Sequence, residues 1–424
     1  MKTKESLAGV RVLDLTDEKG QYCGKLLADL GADVIKVEPP GGDATRRIGP
    51  FFQDKYAVEK SLYWFHFNTS KRSVTLNLDH PEGTKIMSGL ASTADVVLET
   101  FPPGYLDDRA LGYSSLRKAT PRLILTSITG FGQTGPWKNY KASDIVAMAV
   151  GGLLYECGWT DLPPMQMACS LAYHQVSVEA ATATLIALFH RQRTGMGQHV
   201  DVSMQQSIPV SLQPATFIYE KTGVVRKRMG GGPRSRSQSE SESKHGQTSQ
   251  RELPAQGIFA CKNGYVDIGQ LSGIAWWDRF VAWLDSQGGA ADLKDEKWRD
   301  PFLRTKPEVT KHINDVLGDF LKTRTKEEIF HSGQKGGVVV GPVNTPEDIV
   351  NDPQLRFGKF FVPVEHPELQ TTLHYIGAPY KLSETPWRIS RRAPLIGEHN
   401  SEIYQKELGL SGDGLARLKA AGVI

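Results

Sequence analysis

Apolar and polar positions alternate in blocks from the start of the chain. Residues 10–15 form a short apolar run with β-branched content and read as a buried strand. Residues 22–30 place apolar side chains at helical spacing, and 34–37 form a second strand, stopped by Pro39-Pro40-Gly41-Gly42. Strand, helix and strand within roughly 30 residues predict a βαβ unit and a parallel sheet. Strands at 74–78, 96–98, 123–127 and 199–203 continue the series, with helices at 81–91 and 113–119 between them. The longest helical pattern runs over 171–191. Val176, Leu185, Leu188 and Phe189 supply its apolar positions, Ala180, Ala181 and Ala183 permit close packing, and Gly195 and Gly197 end it.

The pattern changes past residue 221. Residues 226–251 are rich in Ser, Arg, Gly and Gln without periodicity and read as a long surface loop or linker. Strand character returns at 258–269 around Asn263-Gly264, a hairpin signal. Helices follow at 276–284, 307–321 and 326–332, then a strand at 338–343 and helices at 346–352 and 410–421. The expected fold is α/β: a large domain with a doubly wound parallel sheet, plus a smaller α+β domain. The expected division is 1–220 for the N-terminal part of the large domain and 221–257 for a linker and mobile loop. Residues 258–335 would form the small domain, and 336–424 the return linker and the C-terminal part of the large domain.

A formal charge of +3 over 424 residues gives no footprint for nucleic acid or an anionic membrane surface. The four cysteines show neither C-x-x-C pairing nor zinc spacing, so reduced thiols and no metal site are expected. The first residues lack an apolar run behind their charges, and no stretch of about 18 apolar residues occurs. A cytoplasmic enzyme subunit is the expectation.

Six local motifs occur in order. They are Leu7-Ala8-Gly9-Val10-Arg11-Val12-Leu13-Asp14-Leu15, then Leu26 to Glu38 with Gly31-Ala32-Asp33-Val34-Ile35-Lys36, and Lys71-Arg72-Ser73-Val74-Thr75-Leu76-Asn77-Leu78. After them come Thr129-Gly130-Phe131-Gly132-Gln133-Thr134-Gly135-Pro136, Arg191-Gln192-Arg193-Thr194-Gly195-Met196-Gly197-Gln198, and Ala393-Pro394-Leu395-Ile396-Gly397-Glu398-His399. The series resembles the class III CoA-transferases, the formyl-CoA and carnitine CoA-transferase family, over nearly the whole chain. The resemblance implies two open chains threaded through each other as an interlocked-ring dimer. It also implies an active site shared between the large domain of one chain and the small domain of the other.

In that family an aspartate at the start of the helix leading into Arg-x-Arg-Thr-Gly-x-Gly-Gln attacks the thioester and becomes a mixed anhydride. Here that slot falls at Tyr173, and no acidic residue lies between Asp161 and Glu179. Ala172 and His174 do not replace a carboxylate. Glu179 lies six residues further on, at another level of the helix. Tyr173 reads as a packing residue with its hydroxyl bonded locally, His174 as a structural histidine, and Glu179 as a paired or solvated residue. Racemase chemistry is disfavoured as well, since Ser143 stands where the resemblance expects a histidine before Asp144. Positions that the resemblance assigns to CoA contact are also altered. Asp17-Glu18-Lys19-Gly20 occupies the loop after the first strand, with Lys19 in place of a neutral side chain, and Pro39 follows Glu38. Thr100 stands between Glu99 and Phe101, Asp79 replaces a lysine, and Asp108 replaces an arginine that appears one place late as Arg109. Extra acidic groups would oppose a polyanionic ligand.

The resemblance therefore implies a non-catalytic subunit whose paralogous partner supplies the aspartate and binds most of the CoA. No prosthetic group is expected, and a CoA thioester is the substrate of the complex. The acceptor would be an aryl- or alkyl-succinate, (R)-benzylsuccinate first, as in anaerobic toluene breakdown. His245 and Arg251 are the candidates for holding the acceptor's free carboxylate. A homodimeric lyase or isomerase with altered chemistry and a regulatory pseudoenzyme are the alternatives.

Overall fold

The computed structural model describes residues 5–158, 162–225, 228, 254–269 and 274–424. The chain divides into two compact units: 1–152, 168–211 and 353–424 form one, and 153–167 and 212–352 the other. The expected cuts at 220, 257 and 335 do not coincide with these. The strand at 340–342 belongs to the second unit because it pairs antiparallel with the strand before it, Val340 opposite Ile268.

The first unit is built on six strands: β1 (Arg11–Leu15), β2 (Asp33–Glu38), β3 (Arg72–Thr75), β4 (Val96–Glu99), β5 (Ile124–Thr129) and β6 (His199–Ser203). All pairings are parallel, in the order β3-β2-β1-β4-β5-β6. This is the doubly wound order, whose connections reverse between β1 and β4. Its helices, in chain order, are α1 (Gln21–Asp29), α2 (Leu62–Phe67), α3 (Pro81–Ser92), α4 (Tyr113–Ala119) and α5 (Asp144–Val150). The chain then passes through α6 (Leu153–Glu156) of the other unit and returns for α7 (Leu171–Thr194) and α8 (Met204–Ser211).

Period-two alternation sets the two faces of the sheet. Ile35, Leu13, Val97 and Leu125 form one row across four strands. They are buried with Met87 and Leu90 of α3, Leu116 of α4 and the tail residues Ile403, Tyr404 and Val423. α7 packs against α1, β5 and β6. Gly195 ends it in the left-handed conformation at φ 77°, which glycine adopts without a Cβ penalty.

The outer strand β3 does not leave its edge bare. The Asn400 side chain bonds Thr75 N and Oγ1 at 2.9 and 2.8 Å, and Tyr404 donates to Thr75 O at 2.8 Å. Behind the same rim, Arg46 is fully buried. It donates to both oxygens of Glu38 at 2.7 and 2.8 Å and to Pro394 O at 3.0 Å.

The second unit continues with α9 (Gln213–Thr222) and an antiparallel sheet of β7 (Gly257–Cys261), β8 (Gly264–Ile268) and β9 (Val340–Pro342), with the hairpin at Lys262-Asn263. Its helices are α10 (Ile274–Ser286), α11 (Pro307–Lys322), α12 (Lys326–Lys335) and α13 (Pro346–Asn351). Trp276, Trp277, Phe280, Trp283 and Phe320 make its core aromatic. Capping boxes at Thr325 and Glu328, and at Thr345 and Asp348, start α12 and α13. The chain re-enters the first unit through α14 (Pro353–Phe357), the hairpin β10 (Phe361–His366) and β11 (Thr371–Ile376), and α15 (Gly412–Ala420).

Candidate active site

The reversal of strand order between β1 and β4 opens a crevice at the carboxyl ends of the strands, where ligands bind in sheets of this kind. The loop after β1 enters it and is pinned on two sides. Asp17 N donates to Thr100 Oγ1 at 2.9 Å, and Ser177 of α7 donates to Lys19 O at 3.2 Å. The Lys19 ammonium is taken by Asp17, which turns it away from any anionic ligand.

The slot lies at the first turn of α7. Ser170, at the N-cap, makes no side-chain capping bond. Asp144, at the start of α5, does this work from a distance: its Oδ1 accepts Tyr173 N–H at 3.2 Å. Burial raises the Asp144 carboxyl, and the Tyr173 and Ala172 backbone N–H groups act against that rise. Its Oδ2 is buried and has no hydrogen-bond partner.

Tyr173 is 5% exposed, and its hydroxyl faces the Glu18 carboxyl. Burial first, and then Glu18, holds the phenol well above its ordinary range. Burial, followed by Asp17, pushes Glu18 up as well, against the Tyr173 hydroxyl and Lys19. Tyr63 is pushed up to about 12, by burial and then by Glu18. Gln21 Oε1 accepts from Asn68 at 3.0 Å and Thr45 at 3.3 Å, so its buried Nε2 is left over. His174 packs on Tyr22 and Phe67 at ring distances of 5.6 and 5.4 Å, and burial lowers its pKa. Glu179 accepts from Gln175 at 2.9 Å.

The structure therefore brings two carboxyl groups to a slot that its own helix leaves without one. Neither is a free carboxylate: Asp144 holds backbone, and Glu18 faces a phenol. What the arrangement offers is a half-buried carboxyl–phenol pair able to hold or pass a proton. Sequence reading named Glu18 in the loop after β1 and Asp144 beside Ser143, without linking either to position 173. It missed Tyr63 and Gln21, which nothing local marked.

Of the positions that the resemblance assigns to CoA contact, Asp79, Phe101 and Arg109 gather around Tyr105. The Arg109 guanidinium lies 3.6 Å over the Tyr105 ring and pairs with Asp79. Tyr105 donates to Asp79 at 3.0 Å, and Phe101 stacks on Tyr105 at 4.3 Å. Asp79 and Arg109 thus cancel in charge. The repulsion expected from Asp79 is screened by the arginine that arrives one place late. Pro39 and Asp108 are exposed, and Thr100 serves the loop after β1. His245 and Arg251 lie outside the described residues. Among the described residues no group of three or more His, Cys, Asp or Glu could hold a metal ion, and no helix is long and apolar enough to cross a membrane.

Residues 7–400 match the model of CoA-transferase family III. The chain is 34% identical to the succinyl-CoA:(R)-benzylsuccinate CoA-transferase subunit BbsE of Thauera aromatica, over 93% of this chain and 92% of that protein. It is 32% identical to the formyl-CoA:oxalate CoA-transferase of Streptomyces avermitilis, over 99% and 100% of the two chains. It is also 32% identical to the succinyl-CoA–L-malate CoA-transferase beta subunit of Chloroflexus aurantiacus, over 99% and 98%. A crystal structure of a CAIB/BAIF family protein from Brucella suis superposes with a TM-score of 0.82 at 28% identity, covering 95% of this chain and 99% of that one.

Proposed function

Since the chain belongs to CoA-transferase family III, we propose that it is the non-catalytic subunit of a heteromeric CoA-transferase whose paralogous partner supplies the nucleophilic aspartate. The reaction moves CoA from succinyl-CoA to an aryl- or alkyl-succinate, (R)-benzylsuccinate first. The observation that carries this reading is the slot itself, where a buried phenol facing Glu18 stands in place of a free carboxylate. Acylation of a phenol gives an ester and not the mixed anhydride that the family's chemistry needs, and burial, then Glu18, also holds this phenol well above its ordinary range. Exposed apolar positions on one stripe of α7, with Val178, Ile186 and Phe189 at 44%, 63% and 61%, support assembly with another chain. The relative from Thauera aromatica, named as a subunit, supports the same reading. The partner binds most of the CoA, and Arg251, with His245 second, holds the acceptor's free carboxylate.

Co-expression with a paralogue carrying Asp in the slot, followed by native mass determination and assay, tests this. A heteromer that transfers CoA, beside a single chain that does not, supports the reading. Full turnover by the single chain refutes it.

Glu18 favours a second reading. Its carboxyl reaches the slot from the β1 loop, so a homodimer with altered chemistry would centre on Glu18 and Tyr173. Trapping with hydroxylamine tests the form of this reading in which Glu18 attacks the thioester and expels the CoA thiolate: a hydroxamate on Glu18 when the chain meets succinyl-CoA supports it, and none removes that form.

A further inference from the structure

A cavity of about 590 Å³ opens in the first unit between the β10–β11 hairpin and the segment 389–399, and it shares no residue with the slot. Pro363, Pro367 and Ile389 give it apolar walls, and Arg391 and His399 give it a polar end.

The geometry of His399 carries a contradiction. Its Nδ1 lies 3.2 Å from the backbone N–H of Ser73, which can only donate. Its Nε2 lies 3.2 Å from Nη1 of Arg391, which can also only donate. A neutral imidazole has one acceptor nitrogen. Ser73 is fixed in β3, opposite Lys36, and its carbonyl takes the His399 backbone N–H at 2.9 Å. Nδ1 is therefore the acceptor, and Nε2 carries the hydrogen that faces the guanidinium. Burial lowers the His399 pKa, so the ring is neutral at neutral pH and the conflict persists there. Two donors aimed at each other across a cavity wall are resolved by an anion that accepts from both.

The surrounding charges define that anion. Arg391 has no carboxylate partner among the described residues. Its neighbour Arg392 is consumed by Glu398 at 2.9 Å and Glu368 at 2.8 Å. Arg72, which also faces His399, is taken by Asp33, Glu402 and Glu407. Glu365 stands exposed at the rim without such a partner among the described residues. One cation can match one negative charge, and the acid at the rim repels a dianion more than a monoanion. The apolar walls suit a hydrocarbon body.

We infer that this cavity binds a small organic monocarboxylate, its carboxylate bridging Arg391 and the Nε2–H of His399 and its apolar body against Pro363, Pro367 and Ile389. The site is independent of the chemistry assigned to the slot.

Calorimetric titration of the full-length chain, in whatever assembly it purifies, tests this with phenylacetate, acetate and inorganic phosphate as probes. Phenylacetate should bind saturably and more tightly than acetate or phosphate. Arg391→Ala, a change at an exposed side chain, should weaken it at least about tenfold, and Arg391→Lys should weaken it less. The His399 ring, followed by NMR, should gain a higher pKa when phenylacetate is bound. Absence of saturable binding, equal or tighter binding of phosphate, or unchanged affinity in Arg391→Ala would each overturn the assignment.

Discussion

Asp144 Oδ1 accepts the backbone N–H of Tyr173 at 3.2 Å, so a carboxylate does stand at the first turn of α7, bound to the backbone instead of to a substrate. Asp144 acts as an N-cap supplied from another helix. Asp144→Ala should cost about 1 kcal/mol, the usual value of a lost cap. Denaturant unfolding of the two proteins measures it, and no loss would remove the capping role.

Tyr173→Asp should not restore transfer to the chain on its own. The new carboxyl would sit beside Glu18 and Asp144, both already raised by burial. A third acid there is held protonated and is a poor nucleophile. Turnover should stay below about 1% of a rate of ~1 s⁻¹. A succinyl-CoA assay of the variant decides, and substantial rescue would show that the rest of the pocket is intact.

On the proposed reading, in which a partner subunit supplies the reacting carboxylate, Glu18→Gln should leave the activity of the heteromer within about twofold. Loss of activity by orders of magnitude would transfer the chemistry to this chain.

Glu99, at the end of β4, gives a pH dependence of stability. It is 4% exposed, and burial raises its pKa from 4.5 to about 7, against help from Ser127 and the Phe101 N–H. The fold therefore favours the protonated form. Its contribution is fully present below pH 4.5 and is lost as the pH rises through about 7, by up to about 3 kcal/mol. Glu99→Gln should flatten this slope, so that the variant gains on the parent between pH 5 and 8. Parallel stability curves for the two proteins would contradict the assignment.

Arg46→Ala should cost about 3–5 kcal/mol, because it strands the buried Glu38 carboxylate. Arg46→Lys should recover part of that and not all, since the bidentate contact and the 3.7 Å stacking on Trp64 need a planar group. Urea unfolding of the three proteins gives the order.

The sheet was legible because each strand is a short apolar run between breakers. The predicted strand at 199–203 and helix at 113–119 match the observed elements end for end. α2 escaped because Leu62–Phe67 is short and, after Leu62, all ring side chains, with no polar face to give it a period. The β10–β11 hairpin escaped because its exposed alternation carries no strong apolar signal. At the site, the lack of an acid at position 173 was plain. What surrounds that position was not, since Glu18 and Asp144 reach Tyr173 only through the crossing of loops from different strands. The pairing of Asp79 with Arg109 was hidden for the same reason: 30 positions separate them.

The cover on β3 also dictates an order of events during synthesis. Thr75 waits for Asn400, made 325 residues later. At ordinary translation rates the edge stands open for roughly half a minute. The nascent protein thus carries an unpaired strand outside the ribosome while the whole second unit is still being made, and chaperone capture or premature pairing with a neighbouring chain falls within that interval. A ribosome that stops before residue 400 would release a product whose sheet edge never shuts.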